Sequence, residues 1–182
     1  MKSLFNYIFE DTSSGLKYRF REKYEKLYSK INHFFTPKHS ILVVSMCGGQ
    51  KRKDSKDEKV EARTMYTGVP NQTLLKDLPD LPVDWIIFSG GYGLMNSTTK
   101  INYYTDVVMN LSAGSLEEMS DFLRYNDDLK KIVKAGHYKK IIFTLSDRWM
   151  RTLNLKEIGD AAGSGCEMYG FLAVKRVRDG GF

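Results

Sequence analysis

The sequence predicts an α/β fold, βαβ units around a mainly parallel sheet with an amphipathic helix ahead of them. Two observations carry this. Short apolar runs such as Ile41-Leu42-Val43-Val44 and Trp85-Ile86-Ile87-Phe88 have the length and all-apolar character of strands covered on both faces, and they alternate with helical stretches, as βαβ units do. A third observation concerns the N-terminal part. Leu16, Phe20, Tyr24, Leu27, Ile31 and Phe34 recur at three- and four-residue steps, the mark of a helix over about 16–35 that Ser13 or Ser14 caps and Pro37 ends. Residues 1–39 therefore read as a helical extension and 40–182 as the α/β domain.

Within that domain Ser40 to Met46 is the first buried strand, followed by a polar loop from Cys47 to Lys56. Ser55-x-x-Glu58 has the spacing of a capping box and predicts a helix towards Met65. Pro70, Pro79 and Pro82 punctuate a connection with a short turn at Thr73 to Leu78, Val83 to Phe88 is the second strand, and Ser89 to Lys100 reads as a glycine-bearing loop. Ser115-Leu116-Glu117-Glu118 opens a helix running to about Lys134 and stopping at Gly136, before a third strand from Lys139 to Leu145. Asp147 is the expected cap of a helix over 148–158. Gly163-Ser164-Gly165 reads as a turn ahead of a last strand, Cys166 to Val177.

Composition narrows the function classes. With 182 residues, 42% hydrophobic and 13% aromatic, the chain has enough apolar surface for one core, so wholesale disorder is excluded. The apolar runs fall far short of the roughly 20 residues a membrane span requires. Asn6, Glu10 and Asp11 break up the start before an apolar signal core forms, which with two isolated cysteines predicts a reducing, cytoplasmic setting. Cys47 and Cys166 lack ligand spacing, so neither zinc nor a disulfide scaffold is expected, and no motif calls for a cofactor. The excess of 28 Lys+Arg over 22 Asp+Glu, a net +6, suits a polyanionic partner as well as proteins that bind nothing charged. Arg19, Lys23, Lys26 and Lys30 line one side of the first helix, a solvated face or a phosphate-contacting ridge.

The chemistry-bearing residues gather at strand ends. Cys47, Ser89 and Ser146 each follow a strand, and in open parallel sheets ligands bind beyond the carboxyl ends of the strands. Cys47-Gly48-Gly49-Gln50-Lys51-Arg52-Lys53 lacks the GxxxxGK[ST] pattern of a nucleotide-hydrolysing loop, yet its small residues and cations suit a phosphate or nucleic-acid backbone, with Arg63 a further backbone contact; a flexible charged loop is the alternative. In Ser89-Gly90-Gly91-Tyr92-Gly93-Leu94, Gly91 and Gly93 let a ligand approach the backbone, and Tyr92 is either a stacking ring for a base or a ring packed under the loop. His33, His39 and His137 lie away from the strand carboxyl ends, so a Cys-His dyad is not expected, and Leu145-Ser146-Asp147 is not a GxSxG elbow.

Cys47-Gly48-Gly49-x-Lys51, then Ala62-x-x-x-Tyr66-Thr67-Gly68, then Trp85-Ile86-Ile87-Phe88-Ser89-Gly90-Gly91-Tyr92-Gly93-Leu94 resembles the peroxide-stress (YaaA-like) family and its small uncharacterised relatives over about residues 41–106. The resemblance implies a three-layer α/β/α sandwich of uracil-DNA-glycosylase-like fold and work on nucleobases or DNA, more DNA than RNA. Where that family has an Ile-x-Pro-Tyr step, this chain has Ile101-Asn102-Tyr103-Tyr104, and Thr105 stands where many relatives carry Asp, leaving Asp106 as the catalytic carboxylate beside Tyr104. The GQDPY water-activating signature of uracil enzymes is absent. The expected activity is that of an N-glycosylase on a modified base flipped into the crevice. Asp106 would activate water or stabilise the sugar cation, a helix cap or a solvated acid being its alternative, Ser89 and Ser146 would hydrogen-bond the base, and Tyr92 and Tyr104 would stack on it. A non-catalytic, stress-protective DNA-binding module and a nucleotide- or nucleoside-binding enzyme are the competing expectations.

Overall fold

The computed structural model describes residues 24–33, 35–48, 50–52, 58–104 and 120–170. Strands β1 (Ile41–Met46), β2 (Val60–Glu61), β3 (Asp84–Ser89), β4 (Gly93–Asn96), β5 (Lys100–Ile101), β6 (Lys140–Thr144) and β7 (Glu167–Gly170) alternate with helices α1 (Ala62–Met65), α2 (Val69–Asp77), α3 (Tyr125–Gly136), α4 (Asp147–Met150) and α5 (Leu155–Ala162). The main sheet has the order β4-β3-β1-β6-β7, and β2 and β5 form a small antiparallel pair. β1 pairs in parallel with β3 and β6, β6 in parallel with β7, and only β4 runs antiparallel, against β3. The molecule is thus α/β with a mostly parallel sheet.

Residue alternation along the strands explains why both sheet faces are covered. Leu42, Val44, Ile86, Phe88, Ile141 and Phe143 point into a core closed by Leu129, Ile132 and Val133 of α3 and Ile158 of α5. Val43, Trp85 and Ile87 point the other way, onto Ala62 and Met65 of α1, Tyr66, and Leu74 and Leu75 of α2. Residues 24–35 join this packing, since Tyr24 and Phe35 enter the first core and Leu27 the second. Among the described residues no helix is long and apolar enough to cross a membrane.

Several elements differ from the sequence expectation, each for a local reason. The N-terminal helical conformation ends at residue 28, well before Pro37, because His33 folds back so that its Nε2 meets the Tyr28 carbonyl at 2.8 Å while Lys30 N–H takes that of Leu27. The helix expected from Ser115 to Lys134 is interrupted: residues 120–122 are helical, a turn at 123–124 follows in which Arg124 is left-handed (φ 55°), and α3 then starts at Tyr125, whose ring stacks on Phe88. It runs to Gly136, and His137 (φ 47°), rather than a glycine, takes the left-handed closing position. The helix expected over 148–158 is two helices: Ser146, not Asp147, is at the N-cap of α4, and Asn154 caps α5 by accepting from Glu157 N–H. The segment expected as a helix towards Met65 carries β2 before the one-turn α1, and Ser55 lies outside the described residues. So do Ser13, Ser14, Ser115 and residues 171–177 of the expected last strand. The expected loop from Ser89 to Lys100 is a β-hairpin, a three-residue turn from β3 into β4 closed by Gly93 in left-handed conformation (φ 75°).

Candidate functional site

The sheet's parallel centre brings the strand ends level. Met46 is registered with Phe88 and Ser45 with Thr144, so Cys47, Ser89 and Ser146 emerge side by side from β1, β3 and β6. β1 and β3 are tied at this end, because Cys47 N–H donates to the Phe88 carbonyl at 2.7 Å. Ser146 serves as a helix start, its carbonyl accepting from Trp149 and Met150 N–H at 2.9 and 3.0 Å.

Ser89 is fully buried and holds the centre. Its Oγ receives the Tyr66 hydroxyl at 2.8 Å, lies 3.0 Å from the Tyr104 hydroxyl, and accepts from Tyr92 N–H at 3.1 Å and Gly91 N–H at 3.3 Å. The Tyr66 and Tyr104 hydroxyls are 3.0 Å apart, so the three groups form a closed ring in which each donates once and accepts once. The Ser89 carbonyl is held from the other face by the Tyr125 hydroxyl at 2.9 Å. Tyr92 itself lies beneath: its ring meets Tyr104 edge-on at 5.2 Å, and its hydroxyl donates to the Asn102 carbonyl at 3.3 Å. With 1% of its surface exposed, Tyr92 supports the site rather than presenting a free stacking face. Gly91 is required where Tyr104 packs, since a Cβ there would meet the ring at 2.5 Å. Gly93 faces elsewhere, against Tyr28 and Tyr24.

On the open side stands Lys51. An isolated antiparallel bridge sets it opposite Tyr66, flanked by Arg52 N–H on the Met65 carbonyl at 2.9 Å and Thr67 N–H on the Gln50 carbonyl at 3.0 Å. Its Nζ sits over the Tyr104 ring, 4.3 Å from the centroid. Gly48 packs on the α2 entrance, where a Cβ would meet Gly68 Cα at 2.9 Å. One turn further on, the wholly buried side-chain amide of Asn71 has no hydrogen-bonding partner.

Burial sets the protonation states. It pushes the Cys47 thiol up, opposed by a hydrogen bond from the Gly90 backbone and by Lys51, so this residue is a neutral thiol rather than a thiolate near neutrality. Burial likewise lifts Tyr66, with the neighbouring Tyr104 and Cys47 adding to it, and lifts Tyr104 and Tyr125, so the ring consists of neutral hydrogen-bond donors. Lys51 is lowered by burial, partly offset by Cys47. The stability consequence has a definite sign. Phenols raised in the folded state stabilise fully below about pH 10, the unfolded value, and lose that contribution as pH rises through the raised values. Urea midpoints are expected to hold steady towards pH 9 and fall above about pH 10, with the buried tyrosinate absorbance appearing only on unfolding; full tyrosine ionisation in a folded protein would contradict this ring.

Comparison with family models, with curated proteins and with solved structures finds no match to this chain.

The remaining expected site residues distribute as follows. Gly48 packs on Gly68 at the α2 entrance, whereas Cys47, Lys51, Ser89, Gly91 and Tyr104 converge on the ring. Arg63 does not: its N–H reaches the Ser97 carbonyl, its Nε donates to Glu61 at 2.7 Å, and with Lys38, His39, Asp84 and Asn96 it borders a cleft of about 200 Å³ at the amino ends of the strands. Arg52 follows Lys51 on the same loop. Lys53 and Asp106 lie outside the described residues, as do Arg19 and Lys23 of the basic ridge. Cys47 and Cys166 are both free thiols. Tyr66 and Asn71 are the members that sequence reasoning missed; the Ala62-x-x-x-Tyr66-Thr67-Gly68 segment contained the only signal for the first.

Proposed function

We propose that this chain, on a uracil-DNA-glycosylase-like fold, binds a nucleobase of DNA or RNA at the carboxyl edge of its sheet and cleaves the N-glycosidic bond of a modified base. The observation that carries this reading is the convergence of three buried neutral hydroxyls, those of Tyr66, Ser89 and Tyr104, with the Lys51 ammonium where β1 and β3 end. A departing base takes the electron pair of the broken bond, and fixed donors with a cation beside them stabilise charge that appears only as the bond breaks. Opening one edge of the ring turns a hydroxyl towards an acceptor on the base. Asp106 is the group proposed to activate the attacking water.

The test is release of free base from oligonucleotides carrying varied modified bases, followed by mass spectrometry. Release that falls about 100-fold in Tyr104→Phe is the expected result, by analogy with loss of one preorganised donor. Glycosidic bonds left intact across the whole panel would overturn catalysis and leave a binding module. Affinity for the same oligonucleotides is expected to fall steeply with salt, because cations such as Lys51, Arg52 and Lys53 displace about one condensed counterion per phosphate contacted. An affinity indifferent to salt would remove the nucleic-acid partner.

A further inference from the structure

Lys51 is placed unlike the lysines of the surface ion pairs. Lys130, Lys131, Lys140 and Lys156 extend to carboxylates, Lys130 to Glu157 at 2.7 Å and Lys156 to Asp160 at 3.1 Å among them. Lys51 instead turns inward, half-buried, over the Tyr104 ring and beside the Cys47 thiol. Its backbone is clamped on both sides by the bridge to Tyr66 and its flanking hydrogen bonds, which fixes the base of the side chain beside the Tyr104 ring that Nζ overlies.

We propose that Lys51 Nζ is an amine nucleophile that forms a covalent imine with an aldehyde carbon, C1′ of a deoxyribose in the first instance, so that the site takes aldehyde-bearing sugar phosphates as well as intact nucleosides. The proposal rests on the reading given under Proposed function only for the identity of the sugar. Two features of the site favour it. An ammonium half-buried over the Tyr104 ring, with no carboxylate paired to it among the described residues, gives up its proton to become nucleophilic more readily than an exposed one. Cys47 offsets this only in part, since burial keeps it a neutral thiol.

With an aldehyde, the amine lone pair adds to the carbonyl carbon and the carbonyl oxygen takes a proton. The carbinolamine then loses its oxygen as water, leaving a protonated imine; amine, aldehyde and one proton give iminium and water. With an intact nucleoside, the proton that the ammonium gives up passes to the base as Nζ displaces it, and the base leaves with the electron pair of the C1′–N bond. Opening of the C1′–O4′ bond, with the amine's remaining excess proton passing to O4′, gives the same protonated imine. The Tyr104 hydroxyl, on the ring that Lys51 overlies, becomes a donor to the departing oxygen or base when its bond to Tyr66 or Ser89 opens.

Sodium borohydride, which delivers hydride to the imine carbon and fixes it as a secondary amine, is the trap, with two probes used in parallel: an oligonucleotide containing an abasic site, and 2-deoxyribose 5-phosphate. Peptide mapping of the wild-type protein is expected to place the adduct on Lys51 about tenfold or more above any exposed lysine, and Lys51→Arg, which keeps the charge, is expected to lose it. Label spread evenly over surface lysines, or an adduct that survives in folded Lys51→Arg, overturns the proposal. Trapping of the small sugar alone supports the amine and sinks the nucleic-acid reading. An oligonucleotide that binds, by competition, without being trapped sinks the amine and leaves that reading standing.

Discussion

Gly91→Val is expected to abolish base release and the Lys51 adduct while lowering stability by about 2 to 5 kcal/mol. A Cβ at this position would lie 2.5 Å from Tyr104 Cε2, 2.9 Å from Cδ2 and 3.0 Å from Cζ. The neighbour cannot simply swing aside, because the Tyr104 ring is buried, meets Tyr92 on one side, carries Lys51 on its face, and has its hydroxyl 3.0 Å from both Ser89 and Tyr66. Forcing side-chain volume into such packing costs about 1 to 3 kcal/mol, and parting the hydroxyl from its ring leaves buried donors unmet for about as much again. Moving Tyr104 also removes the surface beneath Lys51 Nζ, so the loss of function exceeds what the drop in stability accounts for. Thermal melts together with base-release and trapping assays below the melting temperature check this. Full activity in the folded variant would show that the Tyr104 position does not matter to the site.

The strands were the legible part of this molecule, because burial on both faces demands unbroken apolar runs and Ile41 to Val44, Trp85 to Phe88 and Ile141 to Phe143 supply them. Their polar ends followed from the same reading, and the parallel register does place Cys47, Ser89 and Ser146 side by side. What the sequence did not reveal was which aromatic stands where. Tyr92 and Tyr104 look equally suited to a ligand, and only the hairpin geometry turns the first inward to Asn102 and leaves the second under Lys51. The hairpin itself was hidden because Gly90-Gly91-Tyr92-Gly93 has the composition of a ligand loop as much as of a three-residue turn. Tyr66 escaped notice for a related reason: its phenol reaches Ser89 across 23 positions of sequence, and no local periodicity encodes that meeting. Helix ends were misjudged where a side chain from elsewhere captured a carbonyl, as His33 does at Tyr28, or where Asn154 restarted a helix.

Ser89→Ala and Asp84→Ala are expected to cost comparable stability and to part company in function. Asp84 is the counterpart of Ser89 at the opposite end of β3. Its buried carboxylate accepts from Lys38 N–H at 3.0 Å, from His39 N–H at 3.3 Å and from the Tyr138 hydroxyl at 3.0 Å, and so pins together the chain entering β1, β3 and β6. Removing it strands two backbone donors and a phenol, for about 3 kcal/mol. Removing the Ser89 hydroxyl strands the Tyr66 phenol and the Gly91 and Tyr92 amides, for about 1 to 3 kcal/mol. The difference lies in what each end faces. Asp84 ties strand beginnings about 17 Å from the ring, by strand rise over five residues, so Asp84→Ala is expected to keep substrate affinity and turnover at temperatures where it stays folded. Ser89→Ala breaks the hydroxyl ring at its only member tied to both phenols and to the turn, and a loss of about 10- to 100-fold in turnover is expected with the fold retained. Denaturant midpoints and base release measured on both variants decide the matter: activities that fall in step with stability in both would make the ring a packing device, whereas a loss confined to Ser89→Ala assigns the chemistry to the carboxyl edge.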